Sequence, residues 1–178
     1  YVMRRDLFID MIKKAHNTSA MYSLIDWVNL MCNEMDIRGV AHRGYFGSIT
    51  DFKSYYDTSM SLIDLKTARS LFDPDWPIYT RTSDSCPTQY LEGADVKASV
   101  ISNGCRIEGT IDHSILSRGC IIKKGAVVKN CVILPDVVIG EDTVLENVVV
   151  DKHVRINHIK EVKGTPEHPG YVKRGDHL

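Results

Sequence analysis

The side chains with clear chemical potential in this sequence are histidines and cysteines. His113 and His153 could each act as a general base, because imidazole exchanges protons near neutral pH. The cysteines are odd in number and have no C-x-x-C spacing, which argues against a disulfide framework or a zinc site. They are Cys32, Cys86, Cys105, Cys120 and Cys131. This pattern indicates reduced thiols in a cytoplasmic protein, with the last three as small buried apolar residues.

The spacing of branched apolar residues predicts the fold that positions these side chains. Between residues 94 and 157, apolar residues recur at intervals of 15, 17 and 17. An amphipathic helix would need steps of three and four instead. The recurring columns are Ile107, Ile122, Ile139 and Ile156; Val96, Ile111, Val128 and Leu145; Ile101, Leu116, Ile133 and Val150; and Cys105, Cys120, Val137 and Val154. Three short apolar stretches per coil predict a hexapeptide parallel β-helix with a triangular cross-section.

Glycines fall where the corners of such coils are expected. Gly104, Gly119, Gly125 and Gly140 could each take the positive φ that a corner requires. The alternative fold is an antiparallel sandwich of short strands, which would not keep four columns in register. The sequence does not show the hand of the β-helix.

The residues before the repeat predict helices and little sheet. Helical periodicity and capping signals predict four helices. These span residues 6–14, a segment opened by Ser23 with Asp26, a segment capped by Thr50 with Asp51 in its first turn, and residues 64–72. We expect strands at residues 1–3 and 36–46 and a loop at residues 16–20. This is too little sheet for an α/β domain, so we expect further strands upstream.

Composition shifts divide the chain into four parts. Residues 73–77 (D-P-D-W-P) break the helical pattern. We expect an incomplete α/β segment at residues 1–78, a linker at 79–93, the β-helix at 94–157, and a tail at 158–178 that caps the prism or frays. The net charge of −1 gives no reason to expect nucleic acid or an anionic membrane as a partner. No apolar run is long enough to span a bilayer.

Four short motifs occur in one order that points to a known family. Residues 1–3 (Y-V-M) are similar to a strand "G-I-Y-V-F", and residues 76–80 (W-P-I-Y-T) to a linker "W-P-I-x-T". Residues 99–105 (S-V-I-S-N-G-C) are similar to "S-x-I-x-x-G-C", and residues 150–156 (V-D-K-H-V-R-I) to "I-D-K-N-x-R-I". The chain therefore resembles the C-terminal part of glucose-1-phosphate adenylyltransferase (ADP-glucose pyrophosphorylase). The resemblance implies a nucleotidyltransferase α/β domain followed by a left-handed β-helix.

One departure from the family pattern bears on catalysis. Catalytic members carry "W-x-D-V-G-T", whose aspartate helps to hold the catalytic Mg²⁺, whereas this chain has Phe46 on the tryptophan and Ser48 on the aspartate. A neutral hydroxyl lacks the charge with which carboxylates hold Mg²⁺, and nucleotidyl transfer depends on that ion. Asp51 comes three residues late and is expected to begin a helix. The chain thus resembles the GlgD-type, non-catalytic subunit, with no catalytic residue or cofactor of its own and Mg²⁺ in its catalytic partner.

The resemblance also implies a ligand site on the β-helix. The lysine of "I-D-K-N-x-R-I" contributes to effector binding in plant-type members, which makes Lys152 and Arg155 candidates for binding a phosphorylated metabolite. The structural alternative is two solvated charges on an outward face. His153 replaces the family asparagine, which weakens the match.

The expected function is assembly and regulation rather than turnover. The resemblance implies a homo- or hetero-oligomer with a catalytic adenylyltransferase subunit. That complex makes ADP-glucose and diphosphate from ATP and glucose 1-phosphate in bacterial glycogen biosynthesis. Three alternatives remain: a hexapeptide-repeat acyltransferase using His113 or His153 as its base, a fragment of a catalytic sugar-nucleotide pyrophosphorylase, and a pure assembly module.

Overall fold

The structure, a computed structural model, describes residues 1–18, 23–72, 74–75, 77–80 and 82–178. Trp76 of the linker motif, Asp73 of the predicted break and residues 19–20 of the predicted loop lie outside these ranges. The chain divides into two compact units, Tyr1–Arg43 and Gly44–Leu178. None of the helices in the described ranges has the length and apolarity that a bilayer span requires.

The described residues of the unit Tyr1–Arg43 form two helices, α1 (Arg5–Thr18) and α2 (Leu24–Met31). The predicted capping box at the start of α2 is confirmed. The Ser23 hydroxyl accepts the Asp26 N–H at 3.2 Å, and the Asp26 carboxylate accepts the Ser23 N–H at 3.2 Å. Met11 of α1 and Trp27 of α2 are the buried apolar side chains described in this unit.

Three predictions for the N-terminal region are wrong. The expected strands at residues 1–3 and 36–46 do not form, because an extended segment becomes a strand only when a neighbour takes its backbone hydrogen bonds, and the described residues supply no such neighbour. Val2 and Val40 are accordingly exposed. The loop expected at residues 16–20 is wrong for residues 16–18, because α1 continues through Thr18. His16 suits the last turn of that helix, since a basic group there complements the helix dipole.

Two helices open the unit Gly44–Leu178, namely α3 (Phe52–Ser61) and α4 (Leu65–Leu71). The N-cap of α3 is Asp51 and not the predicted Thr50. The Asp51 carboxylate accepts the Ser54 N–H at 2.7 Å, and the Ser54 hydroxyl accepts the Asp51 N–H at 3.0 Å. This reciprocal pair is available to Asp51 because Ser54 lies three positions on, and it fixes the start of α3 one residue later. The helix expected at residues 64–72 is confirmed.

The remainder of this unit is a parallel β-helix of three sheets with five strands each. The first sheet contains β1 (Gln89–Tyr90), β4 (Arg106–Ile107), β7 (Ile121–Ile122), β10 (Val138–Ile139) and β13 (Arg155–Ile156). The second contains β2 (Asp95–Lys97), β5 (Thr110–Asp112), β8 (Val127–Lys129), β11 (Val144–Glu146) and β14 (Glu161–Lys163). The third contains β3 (Val100–Ile101), β6 (Ile115–Leu116), β9 (Val132–Ile133), β12 (Val148–Val150) and β15 (Gly170–Val172).

The register of these sheets confirms the predicted columns. Ile122 pairs with Ile107 and Ile139, and Ile139 pairs with Ile156, all of them fully buried. Each coil therefore covers the apolar residue of the next, as a stacked coil requires. The cysteines placed in the fourth column are also buried: Cys105, Cys120 and, beside that column, Cys131. A parallel β-helix is thus observed, and its left hand stays a prediction.

The coils extend further than the sequence pattern suggested. The columns were expected to stop at Asn157, but β14 pairs Val162 with Leu145 and β15 pairs Val172 with Val150. The interval from Val150 to Val172 is longer than the others, so the last coil does not follow the period. At the other end, β1 pairs Tyr90 with Ile107, inside the segment expected as linker. The predicted boundary near residue 78 stays a prediction.

Glycine serves two different purposes at the corners. Gly104, Gly119 and Gly125 have φ values of 80°, 71° and 73°, as predicted for corner residues. Gly140 does not have a positive φ. Instead, a Cβ atom there would lie 2.6 Å from the backbone oxygen of Ile156, so its role is to allow close approach of the next coil.

Candidate functional site

The predicted ligand residues lie on the corner between β12 and β13. We call residues 151–155 the Lys152 corner. His153 has a φ of 62°, and its N–H donates to the Pro135 oxygen of the preceding coil at 3.1 Å. Val154 is fully buried. The corner backbone is therefore held from inside by an apolar side chain and from the neighbouring coil by a hydrogen bond.

His153 occupies a recurring corner position. Gly104, Gly119 and Asp136 precede it in successive coils, and all of them have positive φ. Aspartate, asparagine and histidine are the non-glycine residues most often found there. The Nδ1 atom of His153 lies 3.6 Å from Oδ2 of Asp136 in the coil before it. The sequence-predicted base is thus part of a structural corner, and its partner is a side chain on the same corner one coil away.

Lys152 and Arg155 present exposed side chains on a fixed backbone. The Lys152 N–H donates to Asp151 Oδ1 at 2.7 Å. The Arg155 N–H donates to the Asp176 oxygen at 3.0 Å, and the Arg155 oxygen accepts the Leu178 N–H at 2.9 Å. The C-terminal residues of the chain therefore hold the strand that carries Arg155. Such a pair of cations could bind an oxyanion without a large change in the backbone.

Asp151 and Tyr171 complete this corner, and sequence reasoning missed both. The Tyr171 hydroxyl donates to Asp151 Oδ2 at 2.8 Å. Partial burial pushes the pKa of Asp151 upward, but hydrogen bonds from the Lys152 N–H and the Tyr171 hydroxyl, with the charges of Lys152 and Arg174, outweigh it and hold the pKa below its usual value. Donation to Asp151 raises the pKa of Tyr171. Tyr171 carried no sequence signal, since it lies in the segment expected to cap the prism or fray.

Arg174 adds a third cation whose charge is felt at the corner. It is exposed, and its charge helps to lower the pKa of Asp151. The three cations Lys152, Arg155 and Arg174 lie among three carboxylates, because Asp136 is beside His153 and the charge of Asp176 is felt at Tyr171, as well as Asp151 itself. Phosphate groups are recognised by several cationic donors acting together, so three cations suit a phosphorylated ligand better than an isolated lysine would.

Ser48 lies in the irregular segment that leads into α3, and it is exposed. The segment is packed closely beside the helix, because a Cβ atom on Gly47 would lie 2.9 Å from Cγ2 of Thr58. Tyr45 Oη lies within hydrogen-bonding distance of Ser61 Oγ, at 3.2 Å. Asp51, the nearest carboxylate in sequence, uses its side chain to cap α3, and the hydrogen bonds from Ser54 lower its pKa. Within the described ranges, no three His, Cys, Asp or Glu side chains are grouped to hold a metal ion.

His113 lies on a different edge of the prism from His153. It occupies the corner between β5 and β6, with a φ of 43° and its N–H donating to the Lys97 oxygen at 3.1 Å. That corner joins the second sheet to the third, whereas the Lys152 corner joins the third sheet to the first. The structure therefore does not bring the two histidines together.

Helix α3 lies against the outer face of the third sheet. Tyr56 is buried with Val132 and Val149 in one apolar cluster. At the start of the helix, Phe52 meets Tyr171 edge to face, with ring centroids 5.5 Å apart and planes inclined at 70°. The helix that follows Ser48 thus reaches Tyr171, whose hydroxyl donates to Asp151 of the Lys152 corner.

Comparison with known proteins agrees with these observations. Residues 87–168 match the family model described as GlmU-like, C-terminal hexapeptide. The glycogen biosynthesis protein GlgD of Bacillus subtilis (strain 168) is 38% identical over 175 residues, which cover 98% of this chain and 51% of that protein. The resemblance predicted from the motifs is confirmed. GlgD of Geobacillus stearothermophilus is also 38% identical over 98% of this chain and 51% of its own length.

Glucose-1-phosphate adenylyltransferases match a shorter part of the chain. The Streptomyces coelicolor protein is 37% identical over 86 residues, which cover 48% of this chain and 22% of that protein. The chain spans about half the length of the GlgD relatives it matches. It is therefore a relative of proteins named for glycogen biosynthesis, with a further likeness to the adenylyltransferases.

Proposed function

We propose that this chain is part of a non-catalytic, regulatory subunit that assembles with a catalytic glucose-1-phosphate adenylyltransferase in glycogen biosynthesis. The observation that carries the proposal is the extent of each likeness. GlgD proteins match 98% of the chain, whereas the adenylyltransferase of Streptomyces coelicolor matches 48%. The likeness to GlgD thus covers nearly the whole chain, including the region of Ser48, whereas the likeness to this adenylyltransferase covers about half of it.

The segment before α3 supports the proposed lack of turnover. Ser48 stands where catalytic members have a metal-binding aspartate, and a hydroxyl cannot supply the negative charge that holds Mg²⁺ beside phosphates. Asp51 cannot easily replace it, because its carboxylate already accepts the Ser54 N–H at 2.7 Å. The catalytic partner would hold Mg²⁺ and form ADP-glucose and diphosphate from ATP and glucose 1-phosphate.

The regulatory role is argued from the Lys152 corner. Lys152 and Arg155 are exposed, and both stand on a backbone fixed by neighbouring residues. A phosphorylated metabolite is the ligand class that these cations and Arg174 would bind. By the same resemblance we propose a left-handed β-helix, a preceding segment that ends an α/β nucleotidyltransferase domain, and a cytoplasmic protein. The free cysteines of the described residues fit a reducing compartment.

The test of the catalytic half of this proposal is diphosphate release by the full-length protein alone, with ATP, glucose 1-phosphate and Mg²⁺. We expect no turnover from the native protein. Ser48→Asp restores the carboxylate, and we expect it not to yield strong activity if other residues of the site have also diverged. Ser48→Ala is the matched control. Turnover by the unaltered protein at a rate typical of the family would show that it is a catalytic pyrophosphorylase instead.

A further inference from the structure

Two sites that are distant in sequence are linked by a short series of contacts within the unit Gly44–Leu178. At one end, the carboxylate of Asp151 holds two groups at once. Its Oδ1 accepts the Lys152 N–H at 2.7 Å, and its Oδ2 accepts the Tyr171 hydroxyl at 2.8 Å. One side chain therefore fixes both the turn that carries Lys152 and the orientation of the Tyr171 ring.

At the other end, the Tyr171 ring meets the first residue of α3. Phe52 lies edge to face with it, at a centroid distance of 5.5 Å. Phe52 directly follows Asp51, the N-cap of the helix, and Ser48 precedes that cap by three residues. The position of the Tyr171 ring thus bears on the first turn of α3 and on the segment that leads into it.

The contact between the two rings is of a strength that a ligand could alter. Phe52 is 38% exposed and Tyr171 is 54% exposed. Edge-to-face pairs contribute only modestly beyond the area they bury. One turn further on, Tyr56 is buried and its hydroxyl donates to the Asn130 oxygen at 2.7 Å, so the middle of α3 is held against the β-helix. The first turn is closed by the Asp51–Ser54 capping box, and its ring contact with the β-helix is the one between Phe52 and Tyr171.

An anion at the Lys152 corner would act on this series in a definite direction. The charges of Lys152 and Arg174 stabilise the Asp151 carboxylate through space and help to lower its pKa, and a less basic carboxylate is a weaker hydrogen-bond acceptor. A phosphate group bound to these cations would offset their charge. Asp151 would then accept a stronger hydrogen bond from Tyr171, and the ring against Phe52 would be held more tightly.

We propose that Tyr171 is a positioning residue that couples anion binding at the Lys152 corner to the first turn of α3, through Asp151 on one side and Phe52 on the other. This inference rests on the proposed function, because it takes the Lys152 corner as a site for a phosphorylated ligand. The coupling runs through contacts within one compact unit. It therefore predicts that a ligand that does not touch α3 changes the stability of the first turn of α3.

The experiment is hydrogen–deuterium exchange of the full-length protein with and without inorganic phosphate, followed in peptides that cover residues 51–58 and 150–157. In the native protein we expect phosphate to slow exchange in both peptides. In the first turn of α3 the exchange rate should fall by about fivefold or more, a factor at the lower end of usual allosteric coupling. Tyr171→Phe keeps the ring and removes the hydroxyl, so we expect phosphate to slow exchange at residues 150–157 only. Tyr79→Phe, at a side chain that is 92% exposed, should behave as the native protein does.

The outcomes separate this inference from the function on which it rests. Slower exchange at residues 150–157 with no change at α3 in the native protein would overturn the coupling and leave the anion site standing. An α3 response that persists in Tyr171→Phe would also overturn the coupling through Tyr171. No response at residues 150–157 would overturn the anion site itself, and with it the proposed effector role. Lys152→Gln should abolish both responses if the account is right.

Discussion

The Tyr56 hydroxyl donates a hydrogen bond of 2.7 Å to the backbone oxygen of Asn130. These residues belong to α3 and to the corner between β8 and β9. The Tyr56 ring is buried against Val132 and Val149 of the third sheet. Helix α3 is therefore a part of the β-helix surface, although it comes before the boundary that the sequence suggested near residue 78.

Removing this hydroxyl should weaken the packing of α3 without emptying the cluster. We expect Tyr56→Phe to lower the free energy of unfolding by about 1 kcal/mol, the usual net contribution of such a hydrogen bond, because the Asn130 oxygen loses a buried donor. Urea denaturation measures the change. Tyr79→Phe, at a side chain that is 92% exposed, is the control and should leave the midpoint unchanged. An unchanged midpoint for Tyr56→Phe would contradict the observed contact.

The burial of Tyr56 predicts that its hydroxyl titrates late. Burial raises the pKa of Tyr56 from 10.0 to about 12, because the phenolate would lose solvation in the apolar cluster. The folded state then binds the proton more tightly than the unfolded state does. The stability from this group is therefore fully present below pH 10 and is lost as the pH rises toward about 12. Ultraviolet titration of the phenolates should show a late step that Tyr56→Phe removes. A variant that instead loses amplitude from the main step near pH 10 would refute the burial.

A ladder of alternating charge on the second sheet makes a further prediction. In register, Lys97 pairs with Asp112, Asp112 with Lys129, Lys129 with Glu146, and Glu146 with Lys163. Lys129→Glu would place three carboxylates side by side, and like charges opposite one another destabilise a sheet. We expect a lower Tm whose deficit shrinks in high salt, since salt screens exposed charges. The Tm of Lys129→Gln should lie between those of the native protein and of Lys129→Glu. A Tm deficit that does not depend on salt would argue against an electrostatic cause.

Gly140 and Gly175 are glycines for different reasons, the first because of close packing and the second because of its backbone conformation. Gly140→Ala would put a Cβ atom 2.6 Å from the Ile156 oxygen, and we expect a loss of about 1–3 kcal/mol from this overpacking. Gly175→Ala has open space but a φ of 79°, so we expect a loss of about 1–2 kcal/mol from backbone strain alone. Chemical denaturation of both variants measures these costs. Gly39→Ala, which meets nothing within 4 Å, is the control in the other unit.

The predictable parts of this fold are those in which a residue has the same environment as the equivalent residue of the next coil, or in which its partners are close in sequence. Ile107, Ile122, Ile139 and Ile156 lie at nearly equal intervals because each fills the same place in its coil. The Ser23 capping box was equally visible, since its reciprocal hydrogen bonds involve residues only three positions apart. Both signals are local or periodic, and so they can be recognised without coordinates.

The parts that were missed depend on distant partners or on broken periods. Val172 joins the third column after an irregular interval, so β15 was not expected. Tyr171 matters because it contacts Asp151 and Phe52, and the sequence alone does not show that these residues lie beside it. The strand expected around Val40 failed for the converse reason. A local apolar pattern was present, but strand formation also needs a neighbouring backbone.

The role that we propose for this chain is to form part of a subunit that regulates a catalytic partner. It is tested most directly by titrating the full-length protein into a catalytic glucose-1-phosphate adenylyltransferase from the same organism, with diphosphate release as the readout and complex formation followed by light scattering. We predict a saturable change in kcat or KM as the complex forms, with a phosphate response that Lys152→Gln reduces. A complex whose kinetics match those of the catalytic subunit alone would contradict the account.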